Sequence, residues 1–563
     1  MRREEKEQKP SLGTYWRTIR HLKPIQVWGR IWNQVPRPGP RKAGRLEICP
    51  ARTKWKSEVV RKSEMEGPKT FRILNEKRTI RDGKWDPSEV PKLWRYHLHY
   101  FDDLNAKAAG ERRKWHRDLI TSWILENPAG QGTGWEPYPT SRRIINWVKY
   151  FLAGQVPQKA WLESLAIQAD WVSRRVEWHL LGNHVLANAK ALVFAGSYFE
   201  GIQARSWQEK GMMILQDQIP RQILPDGGHE ERSPMYQALI LEDLLDLMHM
   251  GRIHPDLGAR VKKWKGIAER MLNWLLAMTH PDGGVSFFND AAEGMAGRMS
   301  ELTRYAARLG IRGDKPRGVR AMRKASGSGY FRLEEGPATV IGDLAPLGPD
   351  HLPAHGHADT LSFEMSLGKK KILVNGGSSE YGTGLERERE RGTSAHNTVM
   401  VGGENSSEVW GGFRVGRRAR VLGRRVGERS AEGSHNGYRF LTGSPIHCRK
   451  WKLTKHQLRV EDRIEPPITQ ATARFHLAPG LRYGQLGGAW LIHDRQNVSA
   501  KITISGGRGR IEKSHHAEEF GRLVETECLV VDFRAGWLQT DIRWKDQLPG
   551  KKPRSPGKKR GVK

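Results

Sequence analysis

Acidic side chains and cysteines are what this chain of 563 residues is short of. It has 62 Asp and Glu against 95 Lys and Arg, a formal charge of +33. The last thirteen residues, Lys551 to Lys563, hold only seven of the cations, so the excess is spread through the body of the chain. A field of that sign gathers polyanions and speeds their capture. Charge alone leaves acidic glycans, nucleic acid and anionic lipid eligible. The three cysteines, Cys49, Cys448 and Cys528, are far apart and form no CxxC pair, which argues against a disulfide framework and a thiolate zinc site. Nowhere is there a run of about 18 apolar residues of the kind that spans a bilayer. The opening MRREEKEQKP lacks the apolar stretch of a secretory signal. As written, the chain is expected to be cytoplasmic, or periplasmic if its true start lies upstream.

Tryptophan is plentiful at 21 residues, and hydrophobic content of 37% suffices for real cores. At about 100–200 residues per domain, the length allows two to four domains. Residues 1–68 read as a basic arm and linker. Tyr15, Ile19, Leu22, Ile25, Trp28, Ile31, Trp32 and Val35 recur at near-helical spacing, with breaks at Pro24 and Pro36. Two short amphipathic helices docked on the body of the same chain are expected, without membrane association. Residues 69–320 read as helical: Leu119, Ile120, Trp123 and Ile124 form one apolar stripe, and Ile144, Ile145, Val148, Phe151 and Leu152 another. From 321 to 545 the period changes to two, as in LSFEMS and KITIS, and Gly-rich turns separate short runs such as GYRFLTG and CLVVDF. That pattern predicts an antiparallel sandwich. Residues 546–563 read as a disordered basic tail.

Polar residues gather at the entries to several elements. WEPYPTSRRIINW brings Trp135, Glu136, Tyr138, Arg142, Arg143 and Asn146 to one helix entry. GNHVLANAKAL places Asn183 and His184 at another, and GGHEERSPMYQ places His229, Glu230, Glu231 and Tyr236 at a third. HLPAHGHADTLSFE and SAHNTVMV supply His355, His357, His396 and Asn397 at strand entries. Bland readings stand beside each. Asn183 is also a good N-cap, Tyr236 could be a core tyrosine, and the run Glu386 to Arg391 alternates in sign like a solvated loop. The HxH of His355 and His357 is more specific, because residues two apart on a strand share a face.

Taken together, and in this order, these segments resemble the heparinase II/III family, most densely in HGHADTLSFEMSLGKKKILVNGGSSEYG and SAHNTVMVGGENSSEVWGGFR. The resemblance implies an incomplete (α/α) toroid followed by an antiparallel β-sandwich, with the substrate cleft between them. It implies a polysaccharide lyase acting on uronic-acid-containing acidic polysaccharide by β-elimination, linked to exopolysaccharide or capsule metabolism. Asn183 and His184 would neutralise the C6 carboxylate. Tyr236 would serve as acid and, for one C5 epimer, as base, and His355 as base for the other. Trp135, Tyr138, Arg142, Arg143 and Glu231 would bind substrate, with the two arginines lowering the Tyr236 pKa. No cofactor is required for that chemistry. Some members hold a structural metal at positions matching His357 and His396, so zinc is a further expectation, although the third position is Asn375 where the family has Asp. Two other readings stay open. One is a glycoside hydrolase using two of Asp226, Glu230, Glu231 and Asp290; the other is a non-catalytic acidic-glycan-binding or assembly protein. Nucleic acid is not an expected partner, since the cations are dispersed and no recognition motif is present.

Overall fold

Apolar residues at helical spacing build the first half of the molecule, and alternating ones build the second. The computed structural model describes residues 10–545 apart from 36–37, 42–43, 45, 82, 314–326, 468–469 and 496. The expected tail, the expected boundary at 320/321 and the break at Pro36 lie outside the described residues. Two helices form the arm, α1 (Leu12–Ile19) and α2 (Pro24–Gln34). Ten more follow: α3 (Lys92–Leu98), α4 (Arg113–Glu126), α5 (Pro137–Leu152), α6 (Lys159–Ser173), α7 (Gly182–Tyr198), α8 (Ile202–Gln222), α9 (Pro234–Ile253), α10 (Pro255–Val261), α11 (Lys265–Ala277) and α12 (Met299–Arg308).

These helices make an incomplete (α/α) toroid. Helix α4 buries one stripe, Leu119, Ile120 and Trp123, whereas α7 is buried on nearly every face. An all-round apolar helix belongs inside, and α7 packs between α5 and α8 there. The toroid core starts earlier than the sequence suggests. Trp55, Val59 and Met65 are already buried in it, and a small antiparallel sheet runs over Met65–Gly67, Thr70–Ile73 and Glu76–Thr79. The boundary expected at 68/69 therefore cuts through that sheet, whose strands of three and four residues are too short to announce themselves by alternation.

In the second half the paired strands named among the described residues all run antiparallel. One sheet has eight strands in the spatial order Val421–Val426, Ser430–His435, Ile446–Thr454, Gln457–Glu465, Trp537–Arg543, Val498–Ser505, Ala489–His493 and Arg482–Leu486. A second has Arg508–Glu519, Arg522–Phe533, Ala471–His476 and Val399–Val401, and a third has Tyr330–Glu335, Ala338–Asp343, Phe363–Leu367 and Lys370–Leu373. In Ile446–Thr454 the residues His447, Arg449, Trp451 and Leu453 face in while Lys450, Lys452 and Thr454 face out, the period-two pattern of a half-buried strand. Gly437–Gly443, expected as a strand, is a series of turns anchored by the buried Tyr438. Between α11 and α12 the chain leaves the toroid and lies on the sandwich. Asp290 N–H donates to His355 O at 3.0 Å, Ser378 N–H to Ala291 O at 3.0 Å and Glu293 N–H to Glu518 O at 2.8 Å. This seam holds the candidate site.

Candidate active site

Asn183 is not an N-cap. Helix α7 begins at Gly182, after Leu181 in a left-handed conformation with φ 64°, a conformation that costs a residue with a Cβ about 1–3 kcal/mol. This turn aims the N-terminus of α7 at the loop before α9. There the Glu231 carboxylate accepts the Asn183 N–H at 3.3 Å, satisfying one of the donors a helix start leaves open. Among the described residues, nothing hydrogen-bonds the Asn183 side-chain amide, which is half-buried. His184 lies with its ring 4.5 Å from that of Tyr138 and its Nδ1 3.2 Å from Glu177 Oε2. Burial works against the His184 imidazolium, but Glu177 outweighs it and raises the pKa above the ordinary value. Gly182 makes the approach possible: a Cβ there would sit 2.5 Å from Glu231 Oε1 and 2.5 Å from Leu352, at φ +53°. Gly182→Ala is expected to cost about 1–2 kcal/mol in the urea midpoint and to displace Glu231, lowering turnover as well.

Across the seam, Ser233 caps α9 by accepting the Tyr236 N–H, which fixes the first turn from which Tyr236 projects. The Tyr236 ring packs 4.0 Å from the His355 ring, and its hydroxyl meets Tyr381 Oη at 3.0 Å. Burial, then Tyr381 and Asp290, pushes its pKa well above that of an ordinary tyrosine. His355 Nδ1 hydrogen-bonds Asp290 Oδ2 at 2.7 Å, and its Nε2 stands 3.3 Å from Glu231 Oε2. That carboxylate oxygen is buried and has no aligned hydrogen bond. Asp290 is the hub: His357 Nε2 reaches it at 2.8 Å, Ser378 Oγ at 3.0 Å, and Arg387 clamps both its oxygens. Burial alone would raise the Asp290 pKa, yet Arg387, His355 and His357 hold it well below the carboxylate range. Through Glu231, therefore, the structure brings Asn183, Tyr236 and His355 to one place.

Other expected residues sit elsewhere. Trp135 is 4% exposed, packed on Trp123 and Trp171. Arg143 is fully buried, stacked 3.7 Å from the Trp123 ring and bonded to Gln168 and the carbonyls of His99 and Gly134. Both belong to the toroid core, not to a sugar-binding wall; a guanidinium can be buried when carbonyls satisfy its fork. Arg142 lies between Asp102, at 3.6 Å, and Asp243, at 3.8 Å. The expected lowering of the Tyr236 pKa by these arginines does not occur: burial, Tyr381 and Asp290 raise it. Tyr138 stays beside His184. Sequence reasoning missed Arg387 and Tyr381. The run Glu386 to Arg391 is a helix with Arg387, Glu390 and Arg391 buried, not a solvated loop. Of the four carboxylates of the hydrolase reading, two are engaged elsewhere: Asp290 is bound as above, and Asp226 accepts from Gly228 N, Ser328 N and Ser328 Oγ. Glu231 stands at the site, and burial pushes the pKa of neighbouring Glu230 up to about 7.

The expected zinc ligands form a hydrogen-bonded chain. His357 Nε2–H donates to Asp290, so His396 Nε2–H donates to His357 Nδ1 at 3.3 Å. Burial lowers the His357 pKa to about 4 and holds that of His396 well below the usual histidine value. The Asn375 side-chain oxygen accepts from Asn397 N at 3.1 Å, and its amide nitrogen faces Ser362 Oγ at 3.5 Å. The nitrogen left without a partner, His396 Nδ1, is not the one facing His357. Two bonded imidazoles and an engaged neutral amide do not fit a zinc site, which wants imidazole, thiolate or carboxylate ligands with free lone pairs. Among the described residues, Glu64, His97 and Asp102 are the group whose ligand atoms lie close enough for an ion.

Fold and site together define a two-domain toroid–sandwich protein with histidine and tyrosine facing each other across the domain seam. Residues 39–309 match the family model "Heparinase II/III N-terminus", and residues 317–545 match "Heparinase II/III-like, C-terminal". The chain belongs to the heparinase II/III family. Among curated relatives, FtsZ-localized protein C of Caulobacter vibrioides is 27% identical over 74% of this chain and 75% of that protein. Heparin-sulfate lyase of Bacteroides stercoris is 25% identical over 58% of this chain and 56% of the lyase, so the chain spans about half the length of that relative. The crystal structure of heparinase III has the same fold, with TM-score 0.64 and 17% identity over 82% of this chain and 79% of that one.

Proposed function

We propose that this chain is a polysaccharide lyase that cleaves a uronic-acid-containing polysaccharide by β-elimination, in exopolysaccharide or capsule metabolism. One observation carries the reading: His355 is oriented through Nδ1 by Asp290, with its ring 4.0 Å from that of Tyr236. With Nδ1–H donated to Asp290, Nε2 keeps a lone pair to remove the C5 proton. The electron pair released forms the C4–C5 double bond as the C4–O bond breaks, and the Tyr236 hydroxyl protonates the departing oxygen. A tyrosine held protonated suits the acid role alone, which supports action on the C5 epimer whose proton faces His355. The free Asn183 amide and the His184 imidazolium would hold the C6 carboxylate, where donors fixed in advance stabilise the charge that develops on the enolate. Neither step uses a metal.

The test is incubation with heparan, chondroitin, hyaluronan, alginate and bacterial exopolysaccharides, following the ultraviolet absorbance of the new double bond. No absorbance on any of them would sink the proposal. His184 gives a second check. Because Glu177 raises its pKa, the imidazolium persists to higher pH than an ordinary histidine and is lost as pH rises through the raised value. His184→Gln is expected to lower kcat/KM by about 10- to 100-fold, the worth of a hydrogen bond to a charged group, and to remove this alkaline limb from the pH–rate profile. A second reading, a non-catalytic assembly role, is favoured by the Caulobacter relative, which is named for its localisation with FtsZ.

A further inference from the structure

The arm is amphipathic as expected, yet it docks the opposite way round. On α1, Thr14 and Arg17 hold Glu408, with Thr14 Oγ1 at 2.9 Å from Oε1 and Arg17 Nε at 2.9 Å from Oε2. Trp410 Nε1–H donates to Thr18 Oγ1 at 3.2 Å. On α2, Gln26 is 2% exposed and donates to His351 O at 3.0 Å. Gly29 lies so close to His179 that a Cβ would stand 2.9 Å from its backbone nitrogen. Residues 14, 17 and 18 share one face of α1, and 26 and 29 one face of α2. The polar and small faces thus point inward. The apolar faces point out: Leu12 is 90% exposed, Trp16 62%, Ile19 50%, Trp28 67% and Ile31 54%.

A docked surface helix normally does the reverse, and a contiguous exposed apolar patch marks a surface that something covers. From Leu12 to Val35 the arm carries Arg17, Arg20, Lys23 and Arg30 and no Asp or Glu. Tryptophan and branched aliphatic side chains on one face, flanked by the exposed Arg20, Lys23 and Arg30, are the composition of a helix that lies in the headgroup layer. A second copy fits poorly, because a symmetric contact would set cations against cations. Nor do the terminal segments suit: residues 1–9 and 546–563 hold few large apolar side chains. No helix among the described residues is long and apolar enough to cross a membrane. We infer that the outward face of α1 and α2 is a docking surface for an anionic lipid bilayer, replacing the expectation that the chain has no membrane association.

The test is co-sedimentation of the full-length protein with vesicles of phosphatidylglycerol and phosphatidylethanolamine, and with phosphatidylcholine alone. Partitioning should be at least about tenfold stronger onto the anionic vesicles and fall about fivefold for each cation removed in Arg20→Gln and Arg30→Gln. Trp16→Glu with Trp28→Glu should lower it at least about tenfold, consistent with insertion of apolar area, at an unchanged melting temperature and an unchanged lyase rate on soluble glycan. The inference is overturned if the double tryptophan variant sediments like the parent, or if neutral vesicles bind equally well. It is also overturned if light scattering shows a dimer that this variant dissociates. Failure of the lyase assay would leave the sedimentation result standing, so the two proposals fail separately.

Discussion

Tyr236→Phe is expected to lower kcat/KM on the cleavable glycan by about 10²–10⁴-fold, the usual worth of a positioned proton transfer. The change is clean because the phenyl ring keeps its place against His355 at 4.0 Å, and only the hydroxyl that meets Tyr381 Oη at 3.0 Å is lost. One such hydrogen bond contributes about 0.5–1.5 kcal/mol, so the fold should survive. His355→Ala should cost a comparable factor, and the double variant little more, since acid and base act on one concerted event and their losses do not add. Glycan affinity, measured by calorimetry, should change far less than turnover. If Tyr236→Phe retained the parent rate, the acid would lie elsewhere. If neither protein had activity but both bound glycan equally, the assembly reading would gain.

The largest stability effect is expected at Arg387. Its side chain and that of Asp290 are both fully buried, and Arg387 reaches both carboxylate oxygens. Arg387→Met would leave a carboxylate in the interior without its cation, and breaking a buried pair in this way costs about 3–5 kcal/mol. A guanidinium chloride midpoint reads that directly. Adding Asp290→Asn removes the stranded charge and should recover much of the loss, but not turnover, because a neutral amide cannot stabilise the His355 imidazolium formed during proton abstraction. The pH sign follows from Asp290 being held well below the usual carboxylate range. Its contribution is present above the unfolded pKa and is lost only as pH falls toward the lower folded value. Arg387→Met should therefore remove acid resistance as well. Equal midpoints for parent and Arg387→Met would refute the hub.

Local signals carried the parts of this molecule that depend on neighbouring residues. The change from period 3.6 to period two placed toroid and sandwich, and the helix entry at Ser233–Tyr236 was readable from spacing, whereas His355 and His357 lie in a turn and loop ahead of the strand Phe363–Leu367, not on a strand face, and meet at Asp290. Long-range pairing was not readable. Asp290 and Arg387 are 97 residues apart, and the alternating charges around Arg387 look solvated until a carboxylate from another domain is placed over them. Arg143 was misread for a related reason: a charged residue in a motif suggests a cleft, and only tertiary structure reveals carbonyls from Gly134 and His99 closing around it. The arm shows a third limit. Periodicity defines an apolar face but not the direction in which that face points, and Glu408, almost four hundred positions downstream, decides it.

The Asp290 hub crosses from one body to the other. It comes from the loop after α11, while four of its partners, His355, His357, Ser378 and Arg387, come from the sandwich. A hinge at this seam would tear open the proton-transfer apparatus each time it moved. The two halves expressed as separate polypeptides should therefore be inert in the proposed lyase assay until they reassociate.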